Sequence, residues 1–206
     1  MKVLLVNGSP HREGCTYTAL CEVAGALGKN GIDTQIFQVG TKPVSGCLGC
    51  GKCRPGFRCV TDDIVNEFAD MSAYADGFVF GSPVHYAGGA GSTVCFMDRL
   101  FYSNSPKFRG KPAAAVVSCR RGGATAAYDN LNKYFAITQM PIVTSQYWNT
   151  VHGNNPEQVR QDLEGMQTMR TLGNNMAWLL KSIEAGKKAG LELPRLEDRI
   201  WTNFIR

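Results

Sequence analysis

Short apolar runs alternate with segments of helical period along nearly the whole chain, and that alternation limits the fold more than any other feature. The runs are KVLLV (2–6), TQIFQV (34–39), GFVFGSP (77–83), KPAAAVVSC (111–119) and PIVTSQY (141–147), each of strand length. Between them Thr16, Leu20, Val23 and Leu27 recur at helical spacing up to a stop at Gly28 or Gly31. Ile64, Phe68, Met71 and Ala75 mark a second helix, Val94, Met97 and Phe101 a third, and Ala124, Tyr128, Leu131 and Phe135 a fourth. A fifth starts with Asn155 as N-cap and Pro156 in its first turn, and carries a stripe through Val159, Leu163, Met166, Met176, Leu180 and Ile183. Five strands alternating with five helices predict an α/β fold, a doubly wound parallel sheet covered on both faces. No repeat, low-complexity tract or linker interrupts the pattern. Residues 1–206 are expected to form a single domain with a cysteine-rich loop at 46–60 and a tail at 190–206.

Composition excludes several classes of function. With 44% apolar and 19% charged residues the chain is neither disordered nor membrane-spanning, and no apolar run approaches the roughly 18 to 20 residues a membrane helix needs. The start MKVLLVNGSP lacks the longer apolar region of a signal peptide, which makes the cytoplasm the expected location. The net charge of +5 includes no lysine and arginine block of the kind that binds nucleic acid, and suits phosphorylated small molecules better.

Three loops at the ends of expected strands combine glycine with hydroxyl groups: NGSPHREGCT, GSPVHYAGGAGS and SCRRGGA. Ligands of doubly wound sheets sit outside the carboxyl ends of the strands, so the coincidence points to one site. In the first loop Gly8 and Gly14 let the backbone curl, Ser9 and Thr16 offer hydroxyls, and His11 and Arg12 add charge. The helix beginning near Cys15 presents unpaired amides, which together suit a phosphate. A capped turn starting a helix is the plainer reading of the same residues. Neither the Walker pattern nor G-x-G-x-x-G is present. A phosphatase loop needs arginine six positions after cysteine, but Cys15 is followed there by Cys21 and Cys119 by Thr125. The second loop sets Pro83, Val84, His85 and Tyr86 before Gly88, Gly89 and Gly91, an apolar edge with backbone donors that suits a flat heteroaromatic ring. In the third, Gly122 and Gly123 permit close approach while Arg120 and Arg121 can meet an anion or simply face solvent. Asp98 and Arg99 are expected to form a structural pair at a helix end.

Residues 47–59 read CLGCGKCRPGFRC. Thiols stay reduced in the cytoplasm, so this cluster reads as a metal or redox site rather than a disulfide staple. The compact spacing of Cys47, Cys50, Cys53 and Cys59, with Gly46, Gly49, Gly51 and Gly56 relieving crowding, suits an iron–sulfur cluster. Structural zinc more often uses two C-x2-C knuckles set well apart, and metal-free thiols are the third possibility. Most of the scattered cysteines, Cys15, Cys21, Cys95 and Cys119, are expected to be small buried hydrophobes. In the tail, Trp201, Phe204 and Ile205 pack either on their own domain or on a partner subunit.

At GSPHREGCT, GSPVHYAGGAGSTVCFMDR and the cysteine stretch followed by DDI, the chain resembles the flavodoxin-like NAD(P)H-dependent FMN reductases, and within them the iron–sulfur flavoproteins. The resemblance spans residues 2 to about 180. It implies a flavodoxin-like five-stranded sheet of order 2-1-3-4-5, FMN as cofactor, NAD(P)H as co-substrate, a [4Fe–4S] cluster on the four cysteines, and a homodimer or tetramer. The FMN phosphate would lie on Ser9, His11, Arg12, Cys15 and Thr16. Its ring would lie against Pro83, Val84, His85 and Tyr86, flanked by Cys119, Arg120, Gly122 and Gly123. His11, Cys15 and Val94 stand where that family usually or often has arginine, asparagine and lysine. The implied activity passes electrons from a reduced nicotinamide to a quinone, flavin, other aromatic or protein acceptor, with no side chain obliged to act as acid or base. An electron carrier cycling between protein partners, and a zinc-stapled module that binds another nucleotide, are the alternatives.

Overall fold

The computed structural model describes residues 1–53, 58–202 and 204. In chain order it contains strand β1 (Lys2–Asn7), helix α1 (Cys15–Lys29), β2 (Asp33–Gln38), α2 (Ile64–Ser72), β3 (Gly77–His85), β4 (Gly88–Gly89) and α3 (Gly91–Asn104). There follow β5 (Ala113–Cys119), α4 (Ala124–Ile137), β6 (Thr150–His152), α5 (Pro156–Gln161) and α6 (Leu163–Lys188). The strands lie in the order β2-β1-β3-β5-β6, all parallel. With the two-residue β4 set aside as a hairpin on the end of β3, this is the 2-1-3-4-5 order of a flavodoxin-like sheet.

Alternation along the three central strands divides the core into two chemically different halves. Leu4, Val6, Phe78, Phe80, Ala115 and Val117 face α2, α3 and α4. Val3, Leu5, Val79, Ala114 and Val116 face α1, α5 and α6. The first half is aromatic. Phe68 of α2 sits at its centre, with ring centroids 5.1 Å from Phe37, 5.5 Å from Phe96, 6.0 Å from Phe80 and 6.2 Å from Phe78. The second half is filled by Leu20, Val23 and Leu27 of α1 against Met169, Leu172 and Met176 of α6. Among the described residues, no helix is long and apolar enough to cross a membrane.

Three expectations need correction. Residues 141–147 are not the fifth strand: only Pro141 to Val143 touch β5 there, through an isolated bridge between Ala113 and Ile142. Residues 144–148 then leave the sheet edge, where Tyr147 and Trp148 stand in edge-to-face contact, and pairing resumes as Asn149 O accepts from the Val117 amide and Thr150 stands opposite Val117. A β-branched run was not enough, because an edge strand is held from one side only. The last helix is also broken in two. Asp162 takes a non-helical conformation and caps a new start by accepting from the Gly165 amide, which leaves Leu163 exposed rather than in the apolar stripe. Finally, Cys21 is exposed, Cys15 and Cys95 are half-buried, and of the scattered cysteines only Cys119 is buried.

Replacing Phe68 by alanine removes the ring that four neighbours touch, and the expected cost is about 3–5 kcal/mol of folding stability. A urea titration that finds the midpoint unchanged would contradict this assignment of the aromatic half-core.

Candidate functional site

Every strand of a parallel sheet ends on the same edge, so the three glycine-rich loops, which follow β1, β3 and β5, lie side by side. Their mutual fit starts at Gly8. Its amide donates to Gly81 O at 2.9 Å, and a Cβ on it would stand 2.1 Å from Thr93 Oγ1, which itself donates to Gly8 O at 3.0 Å. Fully buried Asn7 organises the first loop: its Nδ2 donates to His11 O, Arg12 O and Gln38 Oε1, and its Oδ1 accepts from the Ser9 amide. Gln38 in turn donates to Ser9 O at 2.6 Å. The loop is thereby held open, with the His11 and Arg12 side chains exposed and Gly14 preceding α1.

Two hydroxyls expected in this loop are inside it. Ser9 Oγ accepts from the His11 amide at 3.1 Å and keeps its own proton for another partner. Thr16 is buried with Oγ1 2.8 Å from Ser118 Oγ, a bond that ties α1 to the end of β5. With Ser118 donating, Thr16 retains a proton for an anion at the helix start. Cys15 donates through Sγ to Gly153 O at 3.6 Å, and the Gly153 amide bonds Cys119 O.

The second loop is a tight hairpin, with His85 opposite Gly88 and only Tyr86 and Ala87 between them. Both have positive φ, 49° and 61°, a conformation that such turns require and that usually falls to Asn-Gly. Holding tyrosine and alanine there costs of order 1 kcal/mol each or more, and the ring of Tyr86 is wholly exposed. The third loop seats against this hairpin. Gly123 has φ 86°, and a Cβ on it would lie 2.6 Å from Ala87 Cα and 3.0 Å from Val84 Cγ1. Pro83 and Val84 are half-buried, while His85, Arg120, Arg121 and Gly122 are exposed around the junction. Burial raises the Cys119 thiol, so it stays protonated at neutral pH.

The helix starts carry the strongest electrostatic signal. Helices α2, α5 and α6 are each capped by a side chain, from Asp63, Asn155 and Asp162, and each has a glutamate in its first turn. Helices α1, α3 and α4, which follow the three glycine-rich loops, have no side-chain cap and no acidic residue in the first turn. Uncapped amides and three positive dipole ends thus converge where a ligand would sit. Sequence reasoning had missed Asn7, Gln38, Thr93 and Ser118, the residues that join the loops. A polar residue ending an apolar strand, as at Asn7 and Ser118, was the available signal.

Cys47, Cys50, Cys53 and Cys59 line one pocket of about 390 Å3, open to solvent, in the segment between β2 and α2. All are free thiols; Cys47 and Cys50 are exposed, Cys59 is half-buried and Cys53 is buried. Burial raises the Cys53 thiol, and the nearby sulfurs of Cys59, Cys47 and Cys50 add to the rise. As placed, no three metal-competent side chains among the described residues meet at ligand distance. Four thiols around one pocket, none in a disulfide, nevertheless form a donor set that fits an iron–sulfur cluster. Gly56 lies outside the described residues.

Arg99 enters this pocket, which corrects the expected pairing with Asp98. Its guanidinium bonds Asp63 at 2.6 and 2.9 Å, while Asp98 accepts from the Tyr134 hydroxyl. Burial pulls the guanidinium down, but hydrogen bonds to Asp63 and Cys59 outweigh it and hold the group charged. Arg99 follows Thr93 by six residues, about 9 Å along α3 at 1.5 Å per residue, so one helix spans the loop junction and the cysteine pocket.

Residues 1–155 match a family described as NADPH-dependent FMN reductase. The iron-sulfur flavoprotein MJ1083 of Methanocaldococcus jannaschii is 31% identical over 89% of this chain and all of its own length. Solved structures show the fold: that of RosB with a bound 8-demethyl-8-formylriboflavin-5'-phosphate intermediate superposes with a TM-score of 0.70, at 14% identity, over 100% of this chain and 94% of the other. A flavodoxin from the domain Archaea superposes with a TM-score of 0.60, at 17% identity, over 88% of this chain and 99% of its own. The carboxyl-edge loops and the family match lead to one conclusion: the chain belongs to the NADPH-dependent FMN reductase family and is a flavin oxidoreductase.

Proposed function

We propose that FMN is held at the junction of the three carboxyl-edge loops and that electrons taken from a reduced nicotinamide leave through a [4Fe–4S] cluster on Cys47, Cys50, Cys53 and Cys59. The observation that carries the flavin part is the set of uncapped starts of α1, α3 and α4, beside three helices that are all capped. Bound FMN supplies the exchange between two-electron and one-electron chemistry. The chain's own residues bind and orient. The amides at the start of α1, with the hydroxyls of Ser9 and Thr16 and the side chains of His11 and Arg12, hold the phosphate, next to Cys15. Pro83, Val84, His85 and Tyr86 line one edge of the ring, and Cys119, Arg120, Gly122 and Gly123 the other. Amides at the start of α4 would stabilise negative charge on the ring.

The name of MJ1083 and the pocket shared by the four cysteines support the cluster. The acceptor is a quinone, a flavin, another aromatic or a redox protein. Trp201, its ring covered on one side by the Arg199 guanidinium, and Phe204 are largely exposed on a tail without regular structure, which supports assembly into a homodimer or tetramer; Ile205 lies outside the described residues.

Three outcomes follow. Anaerobic NADH or NADPH should bleach the flavin of the purified protein, and a flavin that stays yellow with both would favour the electron-carrier reading. Thr16→Val should weaken FMN binding by about 10- to 150-fold, the equivalent of about 1.5–3 kcal/mol for a hydrogen bond to a charged group. Ser118→Ala removes the same internal bond without the phosphate donor and should bind FMN nearly as wild type; equal losses would assign the effect to the internal bond. Cys50→Ser should lose the brown cluster absorbance and its iron while keeping the yellow flavin, and retention of both would exclude Cys50 as a ligand.

A further inference from the structure

The four cysteines are not held alike: Cys53 is buried, Cys47 Sγ accepts from the Gly49 amide at 3.5 Å, and Cys59 has side-chain partners on both its backbone and its sulfur. Cys47 and Cys50 sit exposed on a stretch without regular structure, where Gly49 and Gly51 take positive φ. Cys59 is gripped on three sides. The Asn66 carboxamide reads its backbone in both directions, Oδ1 accepting from the Cys59 amide and Nδ2 donating to Cys59 O, both at 3.0 Å. Its sulfur faces Arg99, whose Nε and Nη2 each lie 3.4 Å from Sγ. The same guanidinium donates to Thr61 O at 2.8 Å, and Asp63 fixes its plane through both carboxylate oxygens. Asp63 is itself immobile, because its Oδ1 also accepts from the Val65 amide as the cap of α2.

Arg99 is 2% exposed and is itself one of the largest fully buried side chains, its guanidinium held by Cys59, Asp63 and Thr61 O. A buried cation aimed with two N–H groups at one sulfur gains little from a neutral thiol and much from a thiolate bound to metal. Hydrogen bonds to cluster sulfurs favour the more negative, reduced state and so raise the reduction potential.

We propose that Arg99 is the positioning residue for Cys59: it presents this sulfur to the cluster and raises the cluster's reduction potential through two N–H···S hydrogen bonds, with Asp63 aiming the guanidinium. The inference rests on the cluster reading above. A bland role, in which Arg99 only staples the turn at 59–63 to α3, predicts loss of thermal stability and no change in potential.

The test is an anaerobic redox titration, followed by electron paramagnetic resonance, of full-length protein reconstituted with iron and sulfide. Iron, sulfide and FMN contents are measured alongside. Arg99→Lys keeps the charge but cannot donate the planar fork, and its cluster should titrate at a more negative potential than wild type at equal FMN content. Asp63→Asn, which keeps the α2 cap, should shift the potential in the same direction by less. If Arg99→Lys fails to fold or load iron, Asp63→Asn carries the comparison. A loaded variant with wild-type potential, even at a lower melting temperature, overturns the proposal. Wild-type protein that takes up no iron and sulfide overturns the cluster reading and this inference with it, a result distinguishable by the metal analysis alone.

Discussion

Parallel strands must all end on one edge, and in this chain that constraint gathers the polar loops. Crossovers through α1, α3 and α4 begin immediately beyond the loops after β1, β3 and β5, so the same topology that buries the strands also aims three helix starts at a common point. Side-chain caps there, like Asp63, Asn155 and Asp162 on the other helices, would stabilise the helices but occupy the amides an anion needs, and an aspartate would also repel it. Leaving them bare sacrifices a little helix stability for an anion-accepting surface. The close contacts of Gly8 with Thr93 and of Gly123 with Ala87 and Val84 explain why small residues stand where the loops meet.

Helix α3 connects this surface to the cysteine pocket. Thr93 in its first turn secures Gly8, Arg99 six residues later faces Cys59, and Tyr102 and Ser103 also line the pocket. The helix has a fully buried aromatic face, with Phe96 and Phe101 in ring contact with residues of the half-core. A helix with one end at the carboxyl-edge loops and its middle at the thiols would fix the separation of the proposed flavin and cluster. Electron transfer between them would then need no rearrangement of the chain.

Much of this was legible in the residues. The strands 2–6, 34–39, 77–83 and 111–119, their helices and the three loops all appear within a few positions of their expected bounds, because apolar periodicity in a two-layered parallel sheet is strong and local. The fifth strand was misplaced because an edge segment pairs on one side only, and the run at 141–147 carries no mark of its departure from the edge. The break at Asp162 was missed because Asn155 and Pro156 already supplied a convincing helix start. At the site, glycine and hydroxyl patterns marked three loops that the sheet brings side by side, whereas a polar residue ending an apolar strand hints at Asn7 and Ser118 without showing the partners they and Gln38 reach on other elements. Arg99 was read with its neighbour Asp98, although adjacent residues on a helix face different directions.

The central claim is that the loop junction grips a flavin by its anionic tail. Titrating flavin-depleted protein with FMN and with riboflavin, following quenching of flavin fluorescence, tests it most directly. Saturation at one FMN per chain and far weaker binding of riboflavin, which lacks the phosphate, are expected. Equal affinity for the two, or no quenching by either, would contradict it.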